Sequence, residues 1–292
     1  MKGIILAGGS GTRLYPITEG ISKQLIPIYD KPMIYYPLST LMQAGIKDIL
    51  LITTKEDQEG FIRLFEDGSK FGVNISYKIQ PSPDGLAQAF VLGAPFIGSD
   101  SCAMILGDNI FYGNDLSELL KESVNNAIVG YATIFGYEVK DPERFGIMEL
   151  DKDNNVISVE EKPENPKSNY AITGLYFYDN SVVNKVKDVK KSARGEYEIT
   201  SLNDIYLKEG RLKAQILDED YMWFDTGVTD SLLEASSTIK SLQNLKNFIV
   251  SCPEVIAYKN GWIDDEQLDE RAELMKKNEY GKYLRRVLEK GR

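Results

Sequence analysis

GIILAGGSGTRLYP, residues Gly3 to Pro16, opens as a buried strand and ends in a run of small residues, one arginine and a proline. An apolar run that stops at Gly8, Gly9 and Gly11 is the pattern of a central strand whose carboxyl end turns sharply into a loop. Backbone N–H groups in such a loop can cradle phosphate oxygens. Yet the stretch matches neither common phosphate fingerprint. G-x-G-x-x-G would need glycine where Leu14 stands, and the Walker form needs Gly-Lys-Ser/Thr where Gly11 is followed by Thr12 and Arg13. By composition alone, the loop is either a tight turn or a site for phosphate.

The pattern around the loop sets the fold class. Lys2–Ala7 reads as a strand, Pro32–Ala44 as a helix closed by Gly45, and Asp48–Thr53 as a second strand. Lys55–Phe65 then reads as a helix, Asn74–Gln80 as a strand, Gly85–Leu92 as a short helix and Cys102–Leu106 as a strand. Strands separated by helical segments imply parallel βαβ units, hence an α/β fold with a Rossmann-like, mostly parallel central sheet flanked by helices. Ligands in such sheets sit at the carboxyl ends of the strands. After Asn126 longer strands follow, Ile128–Tyr137, Gly146–Leu150, Val156–Glu160 and Ala171–Tyr178, joined by turn-rich segments, which predicts a mixed-sheet part. Asp230–Leu245 is helical in character, and Asp264–Glu289 reads as one or two charged helices of a C-terminal tail. The expected organisation is an α/β domain over 1–245, with 1–126 and 127–228 serving different ligands, and a helical segment over 246–292.

Bulk properties remove whole classes of function. The 292 residues, 42% of them hydrophobic, are enough for a sizeable core. A net charge of −10 argues against nucleic-acid and anionic-membrane binding, so an anionic ligand must be met by local groups. Two cysteines, Cys102 and Cys252, are too few for a disulfide framework or a thiolate metal site. No apolar run is long enough for a signal peptide or a membrane span, so a soluble, cytoplasmic protein is expected. The chain contains no histidine, which excludes Ser-His-Asp and Cys-His catalysis and imidazole metal sites.

What remains is chemistry by carboxylates, cations and backbone amides. Arg13 offers a planar fork for phosphate oxygens and Lys23 a compact charge, unless both are solvated surface cations. Asp108 follows the apolar strand Cys102–Leu106, either as a turn residue or as a Mg²⁺ ligand, since magnesium takes one or two carboxylates plus substrate phosphates. Asp225, in YMWFDTG, is a possible second carboxylate; spacing cannot show that the two converge. Gln80 could read a pyrimidine edge or simply end a strand. The pair Glu161-Lys162 could meet a ligand or lie solvated at a strand end.

Taken together, GIILAGGSGTRLYPIT, SKQLIPIYDKPMIYYPLSTLM, QPSPDGLAQAF, LGDNIFYG, DPERFG, EEKPENPKSNYAITGLYFY, RGEYEIT and WFDTG resemble, in order and nearly end to end, the sugar nucleotidylyltransferases. The resemblance implies transfer of a thymidylyl group from dTTP to α-D-glucose 1-phosphate, giving dTDP-glucose and pyrophosphate, the first step toward dTDP-deoxysugars such as dTDP-L-rhamnose. It implies that Gly8, Gly9, Ser10, Gly11, Thr12 and Arg13 wrap the triphosphate, that Lys23 contacts phosphates near the reacting phosphorus, and that Gln24, Gln80, Gly85 and Asp108 complete the nucleotide site. Leu86, Gly146, Glu161, Lys162, Ile172, Tyr176, Arg194 and Trp223 match sugar-phosphate positions, with Lys162 and Arg194 as phosphate ligands. Asp108 and Asp225 are implied as the Mg²⁺ pair. Arg13, Lys23 and Lys162 are the implied catalytic cations. Phe145 stands where many relatives carry tyrosine, so a hydrogen bond from that hydroxyl does not carry over.

A phosphate monoester has a second pKa of about 6, so the sugar phosphate is already ionised near neutral pH and the reaction needs no histidine base. Three rivals stand beside this reading: a uridylyltransferase making UDP-glucose, a nicotinamide-dependent oxidoreductase disfavoured by the missing third glycine, and a non-catalytic sugar-nucleotide sensor. The resemblance also implies a homotetramer with a dTDP-sugar feedback site, and CPEVIAYKNGWIDDEQL resembles the corresponding assembly region.

Overall fold

Residues 1–292 are described by a computed structural model. In chain order, β1 (Lys2–Ala7) leads through three short 3₁₀ turns into a two-residue ribbon, β2 (Pro27–Ile28) and β3 (Lys31–Pro32), and then α1 (Tyr35–Gln43). Next come β4 (Asp48–Thr53), α2 (Gln58–Phe65), β5 (Asn74–Ile79), α3 (Gln88–Ile97), β6 (Cys102–Leu106), β7 (Asn109–Gly113) and α4 (Leu116–Ile128). The second half holds β8 (Ala132–Glu138), β9 (Gly146–Leu150), β10 (Val156–Glu161), β11 (Tyr170–Tyr178), α5 (Val182–Lys185) and α6 (Ile199–Lys208). It closes with β12 (Leu212–Leu217), β13 (Tyr221–Asp225), α7 (Thr229–Lys246), α8 (Pro253–Lys259), α9 (Asp265–Leu274) and α10 (Glu279–Lys290).

The near-continuous apolar strands β1 and β4 are buried on both faces, as central parallel strands must be. Side chains alternate between the faces: Ile4, Leu6, Leu50 and Ile52 join one core, and Ile5, Ala7, Ile49 and Leu51 the other. β5, β4, β1 and β6 run parallel in that order; β11 is antiparallel to β6 and to β8, and β12 is parallel to β8. The hairpin β9–β10 pairs with the start of β11. One antiparallel strand thus joins a parallel half to a mixed half, and a separate ribbon of β7 and β13 crosses between them. The expected mostly parallel α/β sheet, mixed second half and helical tail are all present. No helix is long and apolar enough to cross a membrane.

Several boundaries differ from the sequence expectation for local reasons. The first helix begins at Tyr35 rather than Pro32, because Lys31 and Pro32 pair with Pro27 and Ile28 while Met33 and Ile34 donate to the carbonyls of Ile26 and Gln24. The helix expected over Gly85–Leu92 begins at Gln88, since Gly85 has φ +108°, and runs to Ile97 through Pro95. Ile128 and Val129, read as the start of a strand, are instead the last residue and the C-cap of α4, 66% and 67% exposed; the strand starts at Ala132.

Candidate active site

β1 and β6 are neighbours in register, Leu6 beside Leu106, so the loops that leave their carboxyl ends meet. The amides of Gly8, Gly9, Ser10 and Gly11 find no acceptor in the chain. Gly11 sits at φ +64°, which bends this run of free donors back before the 3₁₀ turn Thr12–Leu14. Lys23 begins another 3₁₀ turn, is 8% exposed, and forms an ion pair with Asp108. It is therefore no surface cation; Arg13 remains exposed and makes no ion pair in the chain.

Asp108 lies between β6 and β7, and Thr226 clasps its carbonyl with an amide at 3.1 Å and a hydroxyl at 2.8 Å. Together with the pairing of Asn109 and Asp225 across the ribbon, this clasp brings the two carboxylates that spacing could not connect into one site. Burial alone would raise the Asp108 carboxyl, but the Lys23 charge and hydrogen bonds from Lys23 and Asn109 hold it below the usual carboxylate range. Asp225 is pushed the other way, by burial first and then by the Asp108 charge, against the pull of Lys23, Arg13 and Arg144. Its carboxylate has neither a hydrogen bond nor an ion pair, and a Cβ at Gly227 would lie 2.7 Å from Arg13 Nη2 and 3.1 Å from Asp225 Oδ1. Two neighbouring half-buried carboxylates, one unpartnered and repelled by the other, suit a divalent cation that takes its remaining ligands from phosphate and water. No third acidic or thiol ligand joins them.

Asn109 was not foreseen as a site residue. Its Oδ1 accepts from the Gly174 amide at 3.0 Å and from Trp223 Nε1 at 2.6 Å, both donors only, which turns its Nδ2 toward Asp108 at 3.1 Å. One amide thus ties the aromatic wall to the acidic centre.

The other half of the cleft is built from the mixed sheet. Gly146 opens β9, Glu161 ends β10, Ile172 and Tyr176 lie on β11, and Trp223 lies on β13 packed edge-on against Tyr137 and Phe145. Lys162 adopts φ +43°, with its amide on the Phe145 carbonyl at 3.0 Å. Arg194 is not a free cation: its guanidinium bonds Glu161 at 3.0 Å and Glu198 at 2.9 Å, with Glu196 at 3.5 Å. A phosphate reaching it must compete with three carboxylates. Thr200 donates to the second oxygen of Glu161. Glu198 and Thr200 also escaped the sequence reading, although both stand in RGEYEIT; Arg144 did so from DPERFG.

All these parts line one cleft of about 430 Å³. Gly8, Gly9, Arg13, Lys23, Gln24, Gln80, Gly85 and Asp108 border it, as do Leu86, Gly146, Glu161, Lys162, Ile172, Tyr176, Arg194, Trp223 and Asp225. Ser10, Gly11 and Thr12 do not reach the lining. The cleft combines anion-holding amides, five cations (Arg13, Lys23, Arg144, Lys162 and Arg194) and the neighbouring carboxylates of Asp108 and Asp225, a set suited to positioning and neutralising phosphates.

The Nucleotidyl transferase family model matches residues 2–241, and the chain belongs to that family of enzymes. Within it the chain falls among the glucose-1-phosphate thymidylyltransferases. It is 58% identical over 290 residues to that enzyme of Neisseria meningitidis serogroup A, covering 99% of this chain and 100% of the relative. The corresponding figure for Mycobacterium tuberculosis H37Rv is 57% over 290 residues, with the same coverage of both chains. Among solved structures, a Bacillus anthracis chain described as a glucose-1-phosphate thymidylyltransferase, in complex with a sucrose, superposes with TM-score 0.75 at 43% identity over 82% of this chain and 94% of its own. A UDP-glucose pyrophosphorylase complexed with UDP-glucose shares the fold, with TM-score 0.73 at 24% identity over 82% of this chain and 98% of its own.

Proposed function

We propose that the protein transfers the thymidylyl group of dTTP to glucose 1-phosphate. A phosphate oxygen of the sugar phosphate forms a bond to the α-phosphorus of dTTP, the bond from that phosphorus to the bridging oxygen breaks, and pyrophosphate leaves with the electron pair as dTDP-glucose forms. The observation that carries this reading is the one cleft lined together by the glycine loop, Lys23, Lys162, Asp108 and Asp225.

The chain's residues act by placement. The free amides of Gly8 and Gly9 and the unpaired guanidinium of Arg13 hold the departing phosphates, and Lys23 neutralises charge at the reacting phosphorus. Lys162 and Arg194 hold the sugar phosphate in line, with Glu161 left to accept from sugar hydroxyls and Trp223 as the apolar wall. Asp108 and Asp225 would hold the divalent cation, Mg²⁺ on this reading, which supplies charge neutralisation on the phosphates. No residue of the cleft needs to take a proton, because the attacking phosphate is ionised above a pKa of about 6.

Pyrophosphate release measured over a matrix of nucleoside triphosphates and sugar 1-phosphates, with and without Mg²⁺, tests this. dTTP with glucose 1-phosphate should give the highest rate and EDTA should abolish it. dUTP, which differs from dTTP by the base methyl alone, should serve less well but measurably, because one methyl group in an apolar contact is worth only about 1–3 kcal/mol. Preference for another sugar phosphate, or full activity in EDTA, refutes the reading. A homotetramer and a dTDP-sugar feedback site extend the same proposal, and sedimentation with and without a dTDP-sugar checks both.

A further inference from the structure

Gln80 directly follows β5 with its backbone fixed, since its amide donates to the Thr53 carbonyl at 2.8 Å. Only its side chain can turn. Its Nε2 donates to Gln88 Oε1 at 2.7 Å, and Gln88 Nε2 donates to Asp84 Oδ2 at 3.3 Å. Asp84 also accepts from the Ser82 hydroxyl at 2.7 Å, and Lys191 stands 3.5 Å from its other oxygen. These contacts keep it below the usual carboxylate range, so at neutral pH it is ionised and can only accept.

That one-sided carboxylate gives the chain of amides a direction. Gln88 must turn its NH₂ to Asp84 and therefore its oxygen to Gln80; Gln80 must then turn its own NH₂ to Gln88 and its oxygen away. The freed Oε1 accepts from no group of the protein and lies over Gly8, where an added Cβ would come within 2.0 Å of it. Gly8 and Gln80 both line the cleft.

We propose that Gln88, held by Asp84, is a positioning residue that fixes the Gln80 amide as an acceptor, so that the site takes a nucleobase presenting a ring N–H and rejects one presenting a ring-nitrogen lone pair. Thymine and uracil carry that N–H at N3; cytosine carries the lone pair. The inference rests on the proposed function in placing the base at Gln80, and it assigns selection between pyrimidines to two residues, Asp84 and Gln88, neither of which need touch the nucleotide.

Steady-state kinetics of the full-length enzyme with dTTP, dUTP and dCTP test it. Gln88→Leu lets the Gln80 amide flip, and the ratio of kcat/KM for dTTP over dCTP should fall by roughly tenfold, mostly through a raised KM for dTTP. The ratio of dTTP over dUTP should not move, because both bases present the same N–H. Asp84→Asn, which lets the partner at 84 donate as well as accept, should lower the first ratio in the same sense. Gln88→Glu still accepts from Gln80 and should keep it. An unchanged dTTP-over-dCTP ratio in a Gln88→Leu protein that melts cooperatively, while Gln80→Leu raises the KM for dTTP, overturns the relay and leaves the thymidylyl reading standing. An unchanged KM in Gln80→Leu sinks the placement of the base itself. Should Gln88→Leu fail to fold, Asp84→Asn carries the test alone, and an unchanged ratio there overturns the proposal.

Discussion

The only ion-pair partner of Asp108 is Lys23, and the carboxylate next to it, Asp225, has none. Replacing Lys23 by Ala leaves two half-buried carboxylates next to each other with no cation between them. Breaking one side of a buried pair costs about 3–5 kcal/mol, so Lys23→Ala should lower stability by that order in urea unfolding without divalent cations, and turnover by at least about a hundredfold. Asp225→Asn should do the reverse to stability. The folded protein raises the pKa of Asp225, so its contribution is fully present below the unfolded carboxylate pKa, about 3.9, and is lost as pH rises through the folded value. At neutral pH the ionised Asp225 therefore works against folding, and the Asn variant should melt higher than the native protein in EDTA, with the gain growing as pH rises from about 4 through the raised folded value. Asp108 has the opposite sign, its stabilisation being lost as pH falls through its lowered value. Activity of Asp225→Asn should nonetheless fall by at least about a hundredfold, as when a group that stabilises transition-state charge is removed. A variant that melts lower in EDTA across this range would contradict the repulsion read from the geometry. Both acids were visible in the sequence, Asp108 after an apolar strand and Asp225 before Thr226-Gly227; their proximity was not, because the ribbon of β7 and β13 and the Thr226 clasp on the Asp108 carbonyl join segments 118 positions apart.

Gly85 shows the same limit for whole elements. At φ +108° it passes so close to the other wall of the cleft that a Cβ would stand 2.5 Å from the Tyr197 carbonyl oxygen, and the two loops are laced by Tyr197 N to Asp84 O at 2.7 Å and Ala87 N to Tyr197 O at 3.1 Å. The loop carrying Gln80 and Asp84 is thus a strut against the loop carrying Arg194. Gly85→Ala should cost roughly 1–3 kcal/mol in backbone strain and should raise KM for both substrates, since the added methyl pushes both walls apart. A variant with native urea stability and a change confined to dTTP would show that the loops move independently. The βα alternation made β1, β4 and β6 readable to the residue, because buried parallel strands are continuous apolar runs bounded by turns. No such signal marks the ribbon of β7 and β13. NIFYG and YMWFD are each five residues long and partners across more than 100 positions, so their pairing is a tertiary fact. Arg194 was legible as a cation; Glu196 and Glu198 hold it from within its own loop, and only its contact with Glu161, 33 positions away, is a tertiary fact.

At the scale of the molecule, the tail decides how far the chain can be divided. Val255, Tyr258, Ile263, Leu268, Tyr280 and Leu284 belong to the same apolar cluster as Ile5, Leu38 and Ile49 of the central sheet and its first helix. Polar contacts reinforce the join: Arg271 reaches Glu254 at 3.1 Å and lies over the Phe71 ring, Tyr280 donates to Glu254 at 2.7 Å, and Asn260 donates to the Met42 carbonyl at 3.3 Å. Glu254 is fully buried, and Lys31 beside it is held by Asp30. Fully burying a large apolar side chain contributes about 1.5–3 kcal/mol, so the six named here alone rival the roughly 5–15 kcal/mol net stability of an ordinary domain. A chain ending at Lys246 should therefore lose cooperative unfolding by calorimetry and expose apolar surface to a hydrophobic dye, with no thymidylyl transfer at any concentration. If tail helices served only to join subunits, the truncated chain would instead melt cooperatively as a monomer and keep measurable pyrophosphate release. The burial of Tyr258, Leu268 and Leu284 in the same apolar cluster as α1 and one face of β1, the strand that leads into the glycine loop, favours the first outcome, because the last 46 residues contribute to the core on which the cleft rests.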